Sequence, residues 1–280
     1  MIIKAYAKIN ISLDVVGKKD NGYHLLKMVM QNIDIYDIIN IKKKDRGISI
    51  SCNKKFVPVD ERNIAYKAAK LFSENYNIVE GVHIDIKKDI PIAAGLAGGS
   101  SDAAAVLKAM RNMFQVAADD EELMKIGLKL GADVPYCIKG GTALCEGIGE
   151  VITPLKPFQG CILVLVKPPF GVSTKDVYSE LDIKKIINHP DTEGIIRAMS
   201  EYDLRSVGGK LKNVLENVTL RKHKIIRDIK SNMHIHGAVG TLMSGSGPST
   251  YGLFDDMLKA QKCYDFMKKS FDEVFITRTI

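Results

Sequence analysis

Hydrophobic and polar residues alternate along two stretches of the first ninety residues. In AYAKINISLDVVG every second residue from Ala5 to Val15 is apolar, and VHIDIKK (82–88) alternates in the same way. A period of two is typical of a half-buried β-strand, because successive side chains point to opposite faces. The pattern therefore predicts strands near residues 2–15 and 81–87.

Other stretches carry apolar residues at helical spacing. SDAAAVLKAMRNMF predicts a helix near 101–114, and DDEELMKIGLKLG predicts one near 119–130 that starts with acidic residues and ends at glycine. A further helix is predicted near 63–76. The second half of the chain contains the strand-length run CILVLV, a helix from about Thr174, helical segments to about 230, the loop SGSGPS, a helix and a terminal strand EVFITRT. This order predicts a mixed α+β protein.

The segment VITPLKPFQG (151–160) interrupts these patterns with two prolines before the run CILVLV. Proline pairs of this kind mark loops between elements. We therefore predict two domains, residues 1–157 and 158–280.

Composition restricts the class of protein. The chain has 280 residues, 46% hydrophobic and 26% charged, which is ordinary for a globular protein. It has no apolar run of membrane-spanning length, no signal-peptide pattern at its start, and five cysteines without metal-type spacing, so we expect reduced thiols and a cytoplasmic location. The net charge of +7 is compatible with a polyanionic small substrate or with RNA, but the basic runs lack interleaved aromatics.

One face of the first strand is entirely polar, with Lys8, Asn10, Ser12 and Asp14 at alternate positions. Such a face either lies against solvent or presents a cation and an amide together from a rigid strand. The residues themselves leave both interpretations open.

The segment PIAAGLAGGSSD (91–102) places small residues between a strand and a helix. A bare loop followed by a helix N-terminus, with Ser100 or Ser101 near the cap, suits an anion because unpaired backbone N–H groups point outward there. A tight turn packed against a sheet is the alternative. A second small-residue loop, MSGSGPS (243–249), makes a closely bound ligand more plausible. The chain has neither a Walker P-loop nor a Rossmann fingerprint.

Asp133 follows Gly131 by two residues and precedes Pro135 by two. An aspartate in this setting is either a turn residue whose side chain bonds the backbone or a well-positioned general base.

Three segments together resemble the motifs of the GHMP kinases, the superfamily of galacto-, homoserine, mevalonate and phosphomevalonate kinases. AYAKINISLDV is similar to the first motif, PIAAGLAGGSSDAA to the second and MSGSGPSTYGLF to the third, in the same order along the chain. The resemblance implies an α+β, two-domain GHMP kinase fold, with an N-terminal ribosomal-protein-like α/β domain and a C-terminal ferredoxin-like α/β domain. The chain departs from the common second motif at Ala97, where that motif has glycine.

The same resemblance implies a site. The second motif would bind the phosphates of ATP, and Mg²⁺ would accompany the nucleotide on ligands that the sequence does not identify. Asp133 matches the family's catalytic base, and Lys8 matches the lysine beside it that keeps the base ionised and offsets charge on the transferring phosphoryl group. The ATP-binding residues implied are Pro91, Ile92, Ala93, Ala94, Gly95, Leu96, Ala97, Gly98, Gly99, Ser100 and Ser101.

GYHLL (22–26) and GADVP (131–135) resemble, more narrowly, a branch of the superfamily whose small-molecule substrate is a cytidyl diphosphate sugar alcohol. Tyr23 and His24 would follow an Asn21–Gly22 turn and surround the cytosine with Tyr178. The substrate-binding residues implied are Asn10, Tyr23, His24, Tyr178, Gly245, Ser246 and Gly247.

Two alternatives remain beside this one. A GHMP kinase for another small alcohol, such as homoserine, would not need GYHLL. A basic RNA-binding module would not need the two glycine loops. We therefore expect an ATP-dependent small-molecule kinase that has no nucleic-acid or membrane partner.

Overall fold

The computed structural model describes residues 1–20 and 22–280, and ten α-helices and eleven β-strands lie in that part of the chain. The strands are β1 (Ile2–Lys18), β2 (His24–Lys44), β3 (Ile48–Cys52), β4 (Gly81–Lys87), β5 (Thr142–Gly147), β6 (Val151–Pro154), β7 (Ile162–Lys167), β8 (Lys212–Asn213), β9 (Gly240–Met243), β10 (Thr250–Phe254) and β11 (Glu273–Arg278). The helices are α1 (Ile64–Tyr76), α2 (Gly98–Met113), α3 (Asp120–Leu128), α4 (Val134–Lys139), α5 (Thr174–Glu180), α6 (Thr192–Ser200), α7 (Leu204–Lys210), α8 (Glu216–Lys222), α9 (Ile225–Ile235) and α10 (Met257–Lys268).

The chain divides into two compact units. The first unit contains residues 1–7, 35–90 and 97–140, and the second unit contains residues 8–34, 91–96 and 141–280. The division of the sequence at residues 157 and 158 stays a prediction about domain boundaries.

In the first unit, the second half of β2 pairs antiparallel with β4, and β3 pairs parallel with β4. The alternation of apolar residues along these strands gives the sheet one buried face, against which α1 and α2 pack. Ile84 on β4 and Phe72 on α1 are both fully buried in this core. Helix α2 also packs against α3 and α4.

In the second unit, the first half of β2 pairs antiparallel with β5, which pairs with β6, and β1 pairs parallel with the short strand β8. A separate antiparallel sheet has the strand order β11-β7-β10-β9. Helices α9 and α10 cover one face of it, where Val164, Met233 and Phe254 are buried together. Among the described residues, no helix is long and apolar enough to cross a membrane.

Most predicted elements are present, with one large omission. The strands near 2–15 and 81–87 and the helices near 63–76 and 119–130 are confirmed as β1, β4, α1 and α3. The 21-residue strand β2 was not predicted from the sequence. Residues 28–33 of β2 are buried without interruption, so this half of the strand lacks the alternation that marks a half-buried strand, whereas burial alternates from Asp34 to Ile41.

Candidate functional site

The polar face of β1 is buried in the second unit. Lys8 is only 4% exposed and Asn10 is fully buried, and Ser12 and Asp14 are buried with them. The Lys8 Nζ atom donates a hydrogen bond to Asn10 Oδ1 at 2.8 Å. The interpretation of this face as solvent-facing is therefore wrong. A buried ammonium is costly unless polar or charged groups surround it, which makes this face a candidate for substrate or phosphate contact.

The loop of the third motif lies against the same strand. Ser244 Oγ accepts a hydrogen bond from the Asn10 backbone N–H at 3.3 Å and donates one to the Gly95 carbonyl at 3.0 Å. A Cβ atom on Gly245 would lie 3.6 Å from Lys8 Nζ. The small residues thus allow the 244–247 backbone to approach the lysine closely, as a site for an anionic group requires.

Glycine is needed at Gly95 for the same reason. Its φ is +75°, and a Cβ atom there would lie 2.2 Å from the carbonyl oxygen of Ser244. Residue 95 therefore links the second and third motifs through close backbone packing, and any larger residue would separate them.

Three residues that sequence reasoning missed hold the third-motif loop. The Asn213 side-chain amide donates to the carbonyls of Met243 and Gly245 at 2.8 and 2.7 Å. Thr219 Oγ1 donates to the Ser246 carbonyl at 3.2 Å, and the Thr174 and Ser246 hydroxyls are 2.9 Å apart. No local pattern marks these residues, because they meet the loop only through the fold.

The second motif leads directly into α2, which begins earlier than predicted. The N-cap is Ala97, in the left-handed conformation at φ +57°, and no side chain caps the helix. Ser100 and Ser101 lie at the start of α2, near the cap as predicted, although neither is the N-cap residue. Ser101 is buried, and its hydroxyl donates to the Tyr6 carbonyl at 2.6 Å. The first-turn N–H groups of α2, which have no partner within a helix, are thus left without a side-chain cap.

The Gly98 and Gly99 positions of this motif also face protein atoms. A Cβ atom on Gly98 would lie 3.0 Å from Ile90 Cγ2 and 3.2 Å from Lys88 Nζ. One on Gly99 would lie 3.4 Å from Ile64 Cγ2. The tight-turn interpretation therefore applies to Gly98, where glycine lets the start of α2 pack closely against Ile90 and Lys88, whereas the separation at Gly99 is an ordinary contact.

Asp133 is the N-cap residue of α4, at φ −83° and ψ −15°, and its side chain makes no capping hydrogen bond. The residue is half-buried. The carboxylate lies next to the N-terminus of α4, and the partial positive charge at a helix N-terminus favours a negative group.

The predicted cytosine contacts are partly brought together. The rings of His24 and Tyr178 have centroids 5.1 Å apart at an interplanar angle of 32°. Burial, followed by the positive charge of Lys18, lowers the pKa of His24, which favours the neutral imidazole. Tyr23 is 59% exposed. The predicted turn includes Asn21, which lies outside the described residues.

The remaining predicted residues are distributed over the two units. Asp133 and the stretch from Ala97 to Ser101 belong to the first unit, and Lys8 and the stretch from Pro91 to Leu96 belong to the second. Across residues 1–20 and 22–280, no group of three or more His, Cys, Asp or Glu side chains could hold a metal ion.

Comparison with known families agrees with the motifs. The model of the GHMP kinases N terminal domain matches residues 63–141, and that of the GHMP kinases C terminal domain matches residues 186–273. The chain is 62% identical over 280 residues to a protein of Clostridium novyi (strain NT), with both chains covered completely, and 63% identical over the same length to one of Clostridium botulinum (strain Alaska E43 / Type E3). The chain therefore belongs to the GHMP kinase family.

Both of these relatives are named 4-diphosphocytidyl-2-C-methyl-D-erythritol kinase. A crystal structure of 4-(cytidine 5'-diphospho)-2C-methyl-D-erythritol kinase, 28% identical, superposes with a TM-score of 0.86 over 100% of this chain and 99% of that one. Homoserine kinase from Cytophaga hutchinsonii, 21% identical, superposes with a TM-score of 0.78 over 98% of this chain and 94% of that one, which shows the shared fold.

Proposed function

We propose that the protein transfers the γ-phosphoryl group of ATP to the 2-hydroxyl of 4-diphosphocytidyl-2-C-methyl-D-erythritol, a step of the non-mevalonate route to isoprenoid precursors. The observation that carries this proposal is the identity of 62% over the complete length of a relative with that activity in its name. The proposal places the protein in the cytoplasm, acting on a small molecule, with no nucleic-acid partner.

Phosphoryl transfer depends mainly on positioning and on charge stabilisation. In the proposed reaction Asp133 accepts the proton of the substrate hydroxyl as its oxygen attacks the γ-phosphorus. Lys8 stabilises the charge on the transferring phosphoryl group. The burial of Lys8 on β1 and its bond to Asn10 support this role, because a buried ammonium with fixed geometry needs no reorganisation during the reaction.

The phosphates of ATP are assigned to the second motif, from Pro91 to Ser101. The uncapped first turn of α2 supports this assignment, since its N–H groups and helix dipole favour an anion. Mg²⁺ would enter with the phosphates and neutralise part of their charge, and we assign it no protein ligands.

The substrate is assigned to the second unit. Asn10 orients the sugar alcohol, the 245–247 segment approaches its phosphate groups, and the base lies at Tyr23, His24 and Tyr178. The direct contact of His24 with Tyr178 supports a site for a flat aromatic ring, and a neutral imidazole can both donate to and accept from the edge of a pyrimidine.

The test is the rate of ADP formation from MgATP with three acceptors. We expect rapid turnover with the cytidyl substrate. We expect little or none with 2-C-methylerythritol 4-phosphate, which lacks the cytidyl group, or with homoserine. Equal rates with the cytidyl substrate and the truncated alcohol would exclude the cytosine site, and faster turnover of homoserine would reassign the enzyme within its family.

A further inference from the structure

Three ionisable side chains form a buried cluster in the first unit that the proposed reaction does not use. Lys88 Nζ donates to Asp37 Oδ2 at 2.5 Å and to Asp102 Oδ2 at 2.6 Å. All three side chains are at most 5% exposed. We call these residues the Lys88 cluster.

The cluster contains one more negative charge than positive charge if both carboxyl groups are ionised. An uncompensated charge away from water is expensive, so one carboxyl group is expected to hold a proton. Hydrogen bonds from the protein stabilise the Asp37 carboxylate, because its Oδ1 accepts from the backbone N–H groups of Asp89 and Ile90 at 2.6 and 2.8 Å. Asp102 Oδ1 is buried and has no hydrogen-bond partner among the residues that the structure describes. The hydrogen bonds therefore favour Asp102 as the protonated member.

The electrostatic surroundings agree with this assignment. Burial, opposed by the Lys88 ammonium and assisted by the Asp37 carboxylate, raises the pKa of Asp102 to about 8. Two ionisable groups outside α2 face Asp102: Asp37 on β2, and Lys88, which directly follows β4. Helices α1, α3 and α4 also pack against α2. Their charged side chains in the described part of the chain are exposed or half-exposed and do not contribute to the raised pKa of Asp102. These side chains are Lys67, Lys70, Glu74, Asp120, Glu121, Glu122, Lys125 and Lys139.

The cluster lies beside the start of the second motif's helix. Asp102 is in α2 itself, and Lys88 Nζ lies 3.2 Å from the position that a Cβ atom on Gly98 would occupy. A phosphate bound at the first turn of α2 would bring negative charge close to the cluster in a poorly solvated environment. Ionised Asp102 and bound phosphate would then disfavour each other.

We propose that ATP binding favours the neutral form of Asp102, so that any Asp102 carboxylate still ionised in the free protein takes up a proton from solvent and nucleotide affinity depends on pH. This inference rests on the proposed binding of ATP phosphates at the second motif. The step converts the Asp102 carboxylate and one solvent proton into the neutral carboxyl group, and no other bond changes. Because the protonated form binds ATP more tightly, affinity is highest at low pH and falls as the pH rises through the pKa of Asp102.

The experiment is calorimetric titration of the whole protein with MgATP at pH 8.5, in Tris and in a second buffer of different ionisation enthalpy. The difference in heat gives the number of protons taken up. If binding raises the pKa of Asp102 by about one unit, about half a proton is taken up per ATP, and the affinity weakens up to about tenfold between neutral and alkaline pH. The Asp102→Asn variant keeps the shape but cannot titrate, so it should show no uptake and a flat affinity profile.

Asp89→Asn is the matched control, since Asp89 is exposed and adjacent in sequence to Lys88. It should behave as the wild type does. ATP binding to the wild type without proton uptake at any pH from 7 to 9.5, or equal uptake by Asp102→Asn, would overturn the inference and leave the proposed function intact. Failure of all three proteins to bind ATP would overturn both. If Asp102→Asn does not fold, the wild-type profile alone decides.

Discussion

The two glycine-rich loops of this protein have similar compositions but are held in different ways. Every residue from Thr241 to Thr250 is buried. The side chains of Asn213 and Thr219 donate hydrogen bonds to the backbone of that loop, and the Thr174 hydroxyl bonds the Ser246 hydroxyl. The second motif exposes Ala93 and Gly99 and leads into a helix with no side-chain cap. The third-motif loop is thus a fixed support beside Lys8, whereas the second-motif loop leaves backbone N–H groups available to a ligand.

The largest expected effect involves neither loop. Asp133→Asn keeps the shape of the residue but removes the proposed proton acceptor, and a general base typically contributes about 10²–10⁴-fold. We expect kcat to fall by about that factor while MgATP binding persists, because both loops are unchanged. Single-turnover kinetics with calorimetric ATP binding measures both quantities. Near-normal turnover with chemistry rate-limiting would place the base at another residue.

The next effect tests the support role of the third-motif loop. Asn213→Ala removes the donors to two buried carbonyls and the acceptor of the Leu215 N–H. Leaving a buried polar group unpaired costs about 1–3 kcal/mol, so for these three groups we expect a loss of about 3 kcal/mol or more in the free energy of unfolding.

Ser100→Ala, in the second motif, is the matched comparison for Asn213→Ala. Ser100 is half-exposed, and we expect its substitution to change the stability by less than about 0.5 kcal/mol. Urea unfolding of both variants measures the difference. Equal destabilisation would mean that the two loops do not differ as described.

A smaller expected effect distinguishes the proposed base-binding residues from the two loops. Tyr23→Ala should raise the KM for the cytidyl substrate about tenfold, since base stacking on an aromatic side chain is worth about 1–3 kcal/mol. The KM for ATP should stay nearly unchanged. Phe56→Ala, which removes another exposed aromatic ring, serves as the control and should alter neither constant. A parallel rise in both constants for Tyr23→Ala would indicate a structural role.

The smallest effect concerns the strain in the second motif. Ala97 is held at φ +57°, which costs a residue with a Cβ atom about 1–2 kcal/mol. Glycine relieves this cost, but the greater conformational entropy of glycine in the unfolded chain lowers the stability by about 0.4–1 kcal/mol. We therefore expect Ala97→Gly to stabilise the protein by about 0.5 kcal/mol in urea unfolding. A loss of about 1 kcal/mol, as for glycine at an ordinary helical position, would show that residue 97 is not strained.

Local patterns were sufficient for some elements and insufficient for others. Strands β1 and β4 alternate, and α3 has the acidic start that its capping box at Asp119 and Glu122 explains. Residues 28–33 of strand β2 are buried on both faces, so they do not alternate between apolar and polar residues, and the polar residues Gln31 and Asn32 are buried among apolar ones. Helix α2 begins at Gly98 because Ala97 takes a left-handed conformation, which no sequence rule predicts for alanine.

The sequence by itself determined the family, through three motifs in order, and the residue types on which the proposed chemistry depends. Only the tertiary structure decided that the polar face of β1 is buried, that Asn213 and Thr219 hold the third-motif loop, and that Asp37, Lys88 and Asp102 meet. The physical reason is that burial and hydrogen bonding depend on which distant segments pack together. Asn10 and Ser244, for example, are 234 residues apart along the chain and share a hydrogen bond.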